Sequence, residues 1–191
     1  MPRKHMCNIA IKRGNAKTAD GVRIAYQVSG QGPALVCCHA MAGDHTMYDR
    51  HRDVFSETHT LITFDQRGSG VSDHPPFIDG PDSAYTVETF GEDLKAVLDA
   101  LDIERASILG FSMGVVSALS FATKYPGRVE RLVLVSAMAS RLPQPIIDRA
   151  RLVEEMLDRK GINATYDFYF SGALFEGHLD NSEFQEHIAL V

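Results

Sequence analysis

Ala106-Ser-Ile-Leu-Gly-Phe-Ser-Met-Gly-Val-Val116 decides how the rest of the chain is read. Ala106 to Leu109 is a short apolar run of the kind that makes a buried strand. From Val115 to Tyr125 apolar and small residues fall at helical spacing, with Val115, Ala118, Leu119 and Ala122 on one side. Between them lies Gly110-Phe111-Ser112-Met113-Gly114, so the pattern predicts Ser112 at a strand-to-helix corner. A turn that throws a hydroxyl outward strains the backbone. Residues two before and two after it crowd each other, which explains glycine at 110 and at 114. The corner also puts the Met113 N–H at a helix N-terminus, where it can point at a developing oxyanion.

Working back from this stretch, Thr86 is a plausible N-cap for a helix in which Val87, Phe90, Leu94, Val97, Leu98 and Leu101 recur at three and four residues. Thr60 to Phe64 reads as a strand that runs into Asp65-Gln66-Arg67-Gly68-Ser69-Gly70-Val71-Ser72. A dinucleotide site there fails twice. Asp73 occupies the third glycine position, and His74-Pro75-Pro76 forbids the helix that would hold a pyrophosphate. Ala34 to Cys38 is a strand without alternation, the mark of burial on both faces, followed by His39-Ala40-Met41-Ala42-Gly43. Asp44 to Glu57 is expected to be one helix carrying Met47, Tyr48 and Phe55. His45, His51 and His59 have no spacing or acidic company that suggests a metal, and are expected to be solvated. Asn15 to Thr18 and Val22 to Val28 read as two strands joined by a turn at Ala19-Asp20-Gly21, with Val22, Ile24, Tyr26 and Val28 on one face. Residues 1 to 14 read as a loosely held arm.

Forward of the corner, Pro126-Gly127 stops the helix and Arg131 to Ser136 makes a sixth strand. Strands separated by helices, with non-alternating apolar runs, imply an α/β fold with a mostly parallel sheet covered on both faces. After Arg141 the character turns helical and aromatic, with Tyr166, Phe168, Tyr169 and Phe170 close together. Residues 1–140 are therefore expected to form the core and residues 141–191 a separate helical part.

Gly110-Phe-Ser-Met-Gly114, the His39-Ala40-Met41 loop and the Asp65-x-Arg67-Gly-x-Gly-x-Ser72 turn occur in the order found in the α/β-hydrolase family, which the chain resembles from about Asn15 to its end. The resemblance implies a nucleophile elbow at Ser112. It implies an oxyanion hole made by the N–H groups of Met113 and Met41, and a helical cap or lid at 141–191. Ala40 stands where the family usually has glycine. His39 is expected to brace its loop, and Asp65 and Arg67 to form a structural pair. The implied chemistry is hydrolysis of an ester, lactone or related carbonyl bond in a small molecule, with no cofactor and no metal. A serine at 112 argues against a haloalkane dehalogenase, whose relatives carry aspartate there. The alternatives are an acyltransferase using the same corner and a non-catalytic binding or receptor-like protein on the same scaffold.

Two features bear on activity. Family members usually carry two further strands after the cap, with the acid and the histidine of the triad, and neither has a matching position here. His178 and His187, with Glu176 and Asp180 nearby, have nothing that places them at Ser112. The chain is thus expected to be a C-terminally truncated form with weak or no activity alone. Its sixth strand would be a sheet edge beside an uncovered face, which calls for a partner or a homodimer.

Composition sets the remaining bounds. The 191 residues suit one domain with a small addition, and 45% hydrophobic content suffices for a core. A net charge of −6 without a basic patch argues against nucleic acid or an anionic membrane. The N-terminus, MPRKHMCNIAIKRGNAK, has no sustained apolar run, and three cysteines without metal spacing suit a cytoplasmic protein with reduced thiols. Adjacent Cys37 and Cys38 are expected on opposite faces of their strand.

Overall fold

A computed structural model describes residues 9–78, 83–137 and 159. The chain divides into two compact units, Met1–Ala137 and Met138–Val191. The expected cap, its aromatic cluster, His178 and His187 lie outside the described residues.

Six strands form one sheet: β1 (Lys12–Lys17), β2 (Arg23–Ser29), β3 (Ala34–Cys38), β4 (Thr60–Phe64), β5 (Ala106–Phe111) and β6 (Val129–Val135). Their order is β1-β2-β4-β3-β5-β6. β1 with β2 and β2 with β4 are antiparallel, while β3 pairs in parallel with β4 and β5, and β5 with β6. Because β1 starts at Lys12, part of the expected N-terminal arm is strand, and β6 starts two residues before Arg131.

Two helices cover one face. α2 (Val87–Ala100) begins at Thr86, whose side chain accepts from the Thr89 N–H while the Thr89 hydroxyl accepts from the Thr86 N–H, a reciprocal cap. α3 (Gly114–Lys124) follows β5 directly. Leu94, Val97, Leu98, Ala118 and Phe121 from these helices pack with Ile24, Val36, Ile62, Phe64 and Ile108 of the sheet. Full burial of aliphatic side chains of this size stabilises by about 1.5–3 kcal/mol each.

The opposite face holds a smaller cluster of Leu35, Cys37, Tyr48 and Leu61. Cys37 and Cys38 thus enter different clusters, as the two-residue period of a strand requires. Both thiols are free, and burial pushes that of Cys37 up to about 12. Asp44 to Glu57 is not one helix. A 3₁₀ segment, His45–His51, capped by the Asp44 carboxylate, passes into the short α1 (Arg52–Ser56). Tyr48 explains the tight start: its hydroxyl donates to the Cys38 carbonyl at 2.8 Å, pulling the segment onto the end of β3.

Within the described residues β6 is an edge of the sheet, with Val133 and Val135 exposed. No helix among the described residues is long and apolar enough to cross a membrane.

Candidate active site

Ser112 occupies the corner between β5 and α3 with φ of +51°, and it is exposed. A left-handed backbone costs a residue with a Cβ roughly 1–2 kcal/mol, so neighbouring bonds must hold it. They do: the Ser112 N–H donates to the Val135 carbonyl at 3.0 Å, and its own carbonyl accepts from the Val115 N–H at 3.0 Å. A Cβ at Gly110 would lie 2.6 Å from the Gly114 carbonyl oxygen and 2.9 Å from Val115 Cα. One at Gly114 would lie 2.1 Å from the Cys38 carbonyl oxygen and 2.8 Å from that of His39. The expectation that the two glycines crowd each other therefore holds for Gly110. Gly114 is required for a different reason, the approach of α3 to the end of β3.

That end carries the second loop. The His39 ring is buried and has both nitrogens engaged. Nε2 accepts from the Gln66 N–H at 3.0 Å, so the proton sits on Nδ1, which donates to the Ala40 carbonyl at 2.7 Å. Burial lowers its pKa and keeps the ring neutral. With no free nitrogen, His39 braces the loop and cannot take a proton from Ser112. Ala40 to Gly43 then closes a turn, with Ala42 at φ of +58° and the Gly43 N–H donating to the Ala40 carbonyl at 3.2 Å. Met41 stands at the tip of this turn, exposed. Neither the Met41 N–H nor the Met113 N–H finds an acceptor among the described residues.

The turn after β4 departs from expectation. Asp65 and Arg67 do not pair with each other. Arg67, fully buried, meets the Asp93 carboxylate of α2 at 2.7 Å and Asp20 at 2.8 Å, and donates to the Ala84 carbonyl at 2.8 Å. Burial opposes its charge, but these bonds outweigh it and raise its pKa. Asp65 instead accepts from the His45 main-chain N–H and the His45 ring, both at 2.7 Å, and from the Val71 N–H at 2.9 Å. Burial works against its ionisation, yet the bonds hold its pKa below the usual carboxylate value. His45 is thus not a solvated histidine. Its bond to Asp65 raises its pKa.

His45 and Asp65 have the contact pattern of an acid–imidazole pair, but in the wrong place. The His45 ring borders a groove of about 450 Å³ over β1 and β2 with Arg13, Tyr26 and Gln27. Asp65 directly follows β4, which lies two strands from β5, or roughly 10 Å at ordinary strand spacing. A base must come within about 3 Å of the serine oxygen. Among the described residues no imidazole is bonded to the Ser112 hydroxyl. Asp44, His45 and Asp65 also bring one possible ligand atom each within 4.8 Å of one another, a grouping set by the fold and not by sequence spacing. The existing hydrogen bonds already engage the Asp65 and Asp44 carboxylates and His45 Nδ1.

One buried residue of the site gave no signal in the sequence. Gln66 sits between His39 and α3: its side-chain amide donates to the His39 carbonyl at 3.0 Å, and its side-chain oxygen accepts from the Ser117 hydroxyl.

Comparison with known proteins bears on the fold. The family model described as alpha/beta hydrolase fold matches residues 33–165. A 3-oxoadipate enol-lactonase of Acinetobacter baylyi is 32% identical over 142 residues, covering 72% of this chain and 51% of the relative. An uncharacterised protein of Mycobacterium tuberculosis is 34% identical over 121 residues, 63% of this chain and 34% of the relative. This chain therefore spans between about a third and a half of these relatives' lengths. A hydrolase from Pseudomonas aeruginosa superposes with a TM-score of 0.73 at 26% identity, over 97% of this chain and 67% of that one. A family match over more than half its length, on a mostly parallel sheet that carries a left-handed serine between β5 and α3, makes this chain a member of the alpha/beta hydrolase fold family.

Proposed function

We propose that the chain carries the nucleophile and oxyanion site of a serine hydrolase that acts on ester or lactone bonds of small molecules. The observation that carries this reading is Ser112 itself: exposed, at φ of +51°, on a corner that no side chain at 110 or 114 could share. Backbone strain of this kind persists where the surroundings over-determine it, and an exposed hydroxyl is its one evident product here. The names of relatives point the same way, the enol-lactonase of Acinetobacter baylyi among them.

In this reading Ser112 Oγ attacks the substrate carbonyl carbon. The new C–O bond forms as the carbonyl electron pair moves onto oxygen, and the Met113 and Met41 N–H groups hold the resulting oxyanion. The serine proton passes to a base outside the described residues and then to the departing alkoxide. Water repeats the sequence on the acyl-enzyme and frees the acid. Without that base, related sites keep only about 10³–10⁴-fold acceleration over water, from binding and the oxyanion hole. Cys37 and Cys38, free and buried, fit a reducing compartment such as the cytoplasm.

A second reading, a non-catalytic binding protein on the same scaffold, is favoured by one observation: none of the described imidazoles is bonded to the Ser112 hydroxyl. A fluorophosphonate probe separates the two. Stoichiometric labelling at Ser112, absent from Ser112→Ala, is the expected result. A folded protein that stays unlabelled supports the binding reading instead.

A further inference from the structure

We propose that Gln66 is a positioning residue: it locks the loop after β3 to α3, so that the Met41 and Met113 N–H groups address one point. The proposal rests on the reading of Ser112 as a nucleophile. The two donors belong to different elements, Met41 to the loop after β3 and Met113 to the corner after β5. Donors in such a site must lie about 2.7–3.1 Å from the oxyanion position, so two independent loops need a common brace.

Gln66 is that brace by its bonding. It comes from a third element, the turn after β4, and it is fully buried, as are His39 and Ser117. Its main-chain N–H donates to His39 Nε2 at 3.0 Å and its side-chain Nε2 donates to the His39 carbonyl at 3.0 Å. Its Oε1 accepts from the hydroxyl of Ser117, on the second turn of α3. The chemistry sets the amide's orientation. A carbonyl can only accept, so the NH₂ faces His39, and the oxygen is left for the serine hydroxyl. Among the described residues, no other side chain is hydrogen-bonded both to His39 and to α3.

The His39 carbonyl is the pivot. It receives the Gln66 amide, and it lies 2.8 Å from where a Gly114 Cβ would sit. The first turn of α3 therefore rests against the same carbonyl that Gln66 holds. Loss of the Gln66 side chain frees the loop to slide along α3 while leaving the main-chain bond to His39 Nε2, and so the ring tautomer, in place. A misplacement near 1 Å in a site of this kind costs roughly 100-fold in rate.

The test uses Gln66→Leu, close in volume, and Gln66→Leu combined with Ser117→Ala, which removes the hydroxyl left without an acceptor. The double variant is expected to recover thermal stability relative to Gln66→Leu. Its fluorophosphonate labelling of Ser112 is expected to remain about 10–100-fold slower than that of the unaltered protein. In ¹H–¹⁵N spectra of Gln66→Leu the Met41 and Met113 amide resonances shift together, while the His39 ring keeps its Nδ1–H tautomer. Labelling in the double variant within two-fold of the unaltered protein overturns the proposal, as do unmoved Met41 and Met113 amides. If the unaltered protein itself is not labelled, the nucleophile reading falls. The two amide resonances then decide the positioning role alone.

Discussion

The turns after β4 and β5 begin alike and end as opposites. Each follows a parallel strand of the sheet, and each needs left-handed backbone, at Gly68 and Gly70 in the first and at Ser112 in the second. The β4 turn buries its charges and pairs them: Arg67 with Asp93 and Asp20, Asp65 with His45 and the Val71 N–H. The β5 corner does the reverse, with an exposed hydroxyl and a main-chain donor at Met113 that lacks an acceptor among the described residues. Where the buried charges are paired, the turn holds the fold. Where groups are left unanswered at a cost in strain, they are on offer to something else. Gln66 belongs to the first turn and reaches the helix that follows the second.

Arg67→Met tests the holding turn hardest. It strands the buried Asp93 carboxylate and is expected to cost about 3–5 kcal/mol in urea unfolding. A loss under about 1 kcal/mol breaks the contrast, because the turn would then not depend on its charges.

His45→Gln is gentler and depends on pH. The His45 pKa is raised by Asp65, so the imidazolium–carboxylate bond contributes fully below the unfolded histidine value of about 6.5. It is lost as pH climbs through the raised value. At the acid end it is lost as pH falls through the lowered pKa of Asp65. The variant should therefore be less stable than the unaltered protein by about 1.5 kcal/mol near pH 6, with the gap closing in alkali. A gap independent of pH means that the contact is not ionic.

At the offering corner the sign is reversed. Ser112→Gly removes the left-handed strain and is expected to raise stability by about 1 kcal/mol while abolishing fluorophosphonate labelling. A loss of stability there shows that the serine stabilises its own corner, and the contrast fails.

Much of this was legible in the chain because it is local. The strand spans, the Thr86 cap and the glycine–serine corner depend on residues within a few positions of one another. The partners of Arg67 and Asp65 are different. Asp65 and Arg67 are two apart on a turn and face different neighbours, and Asp93, Asp20 and His45 arrive only once the sheet order is set. The tight 3₁₀ start has the same origin, since the Tyr48 hydroxyl bonds to the Cys38 carbonyl at the end of β3. Gln66 was silent because a glutamine beside two charged residues looks like part of a solvated turn. The need for glycine at 114 comes from the Cys38 and His39 carbonyls, and local spacing around Ser112 does not show that neighbour.

The Ser112 amide hydrogen hangs on the carbonyl of Val135, the last residue of β6, and β6 is an edge of the described sheet with no fully buried residue. Whenever that rim frays, the amide loses its acceptor. Its exchange with deuterated water is then governed by how long the outermost strand stays zipped, and the turn that carries Ser112 is no more durable than its border.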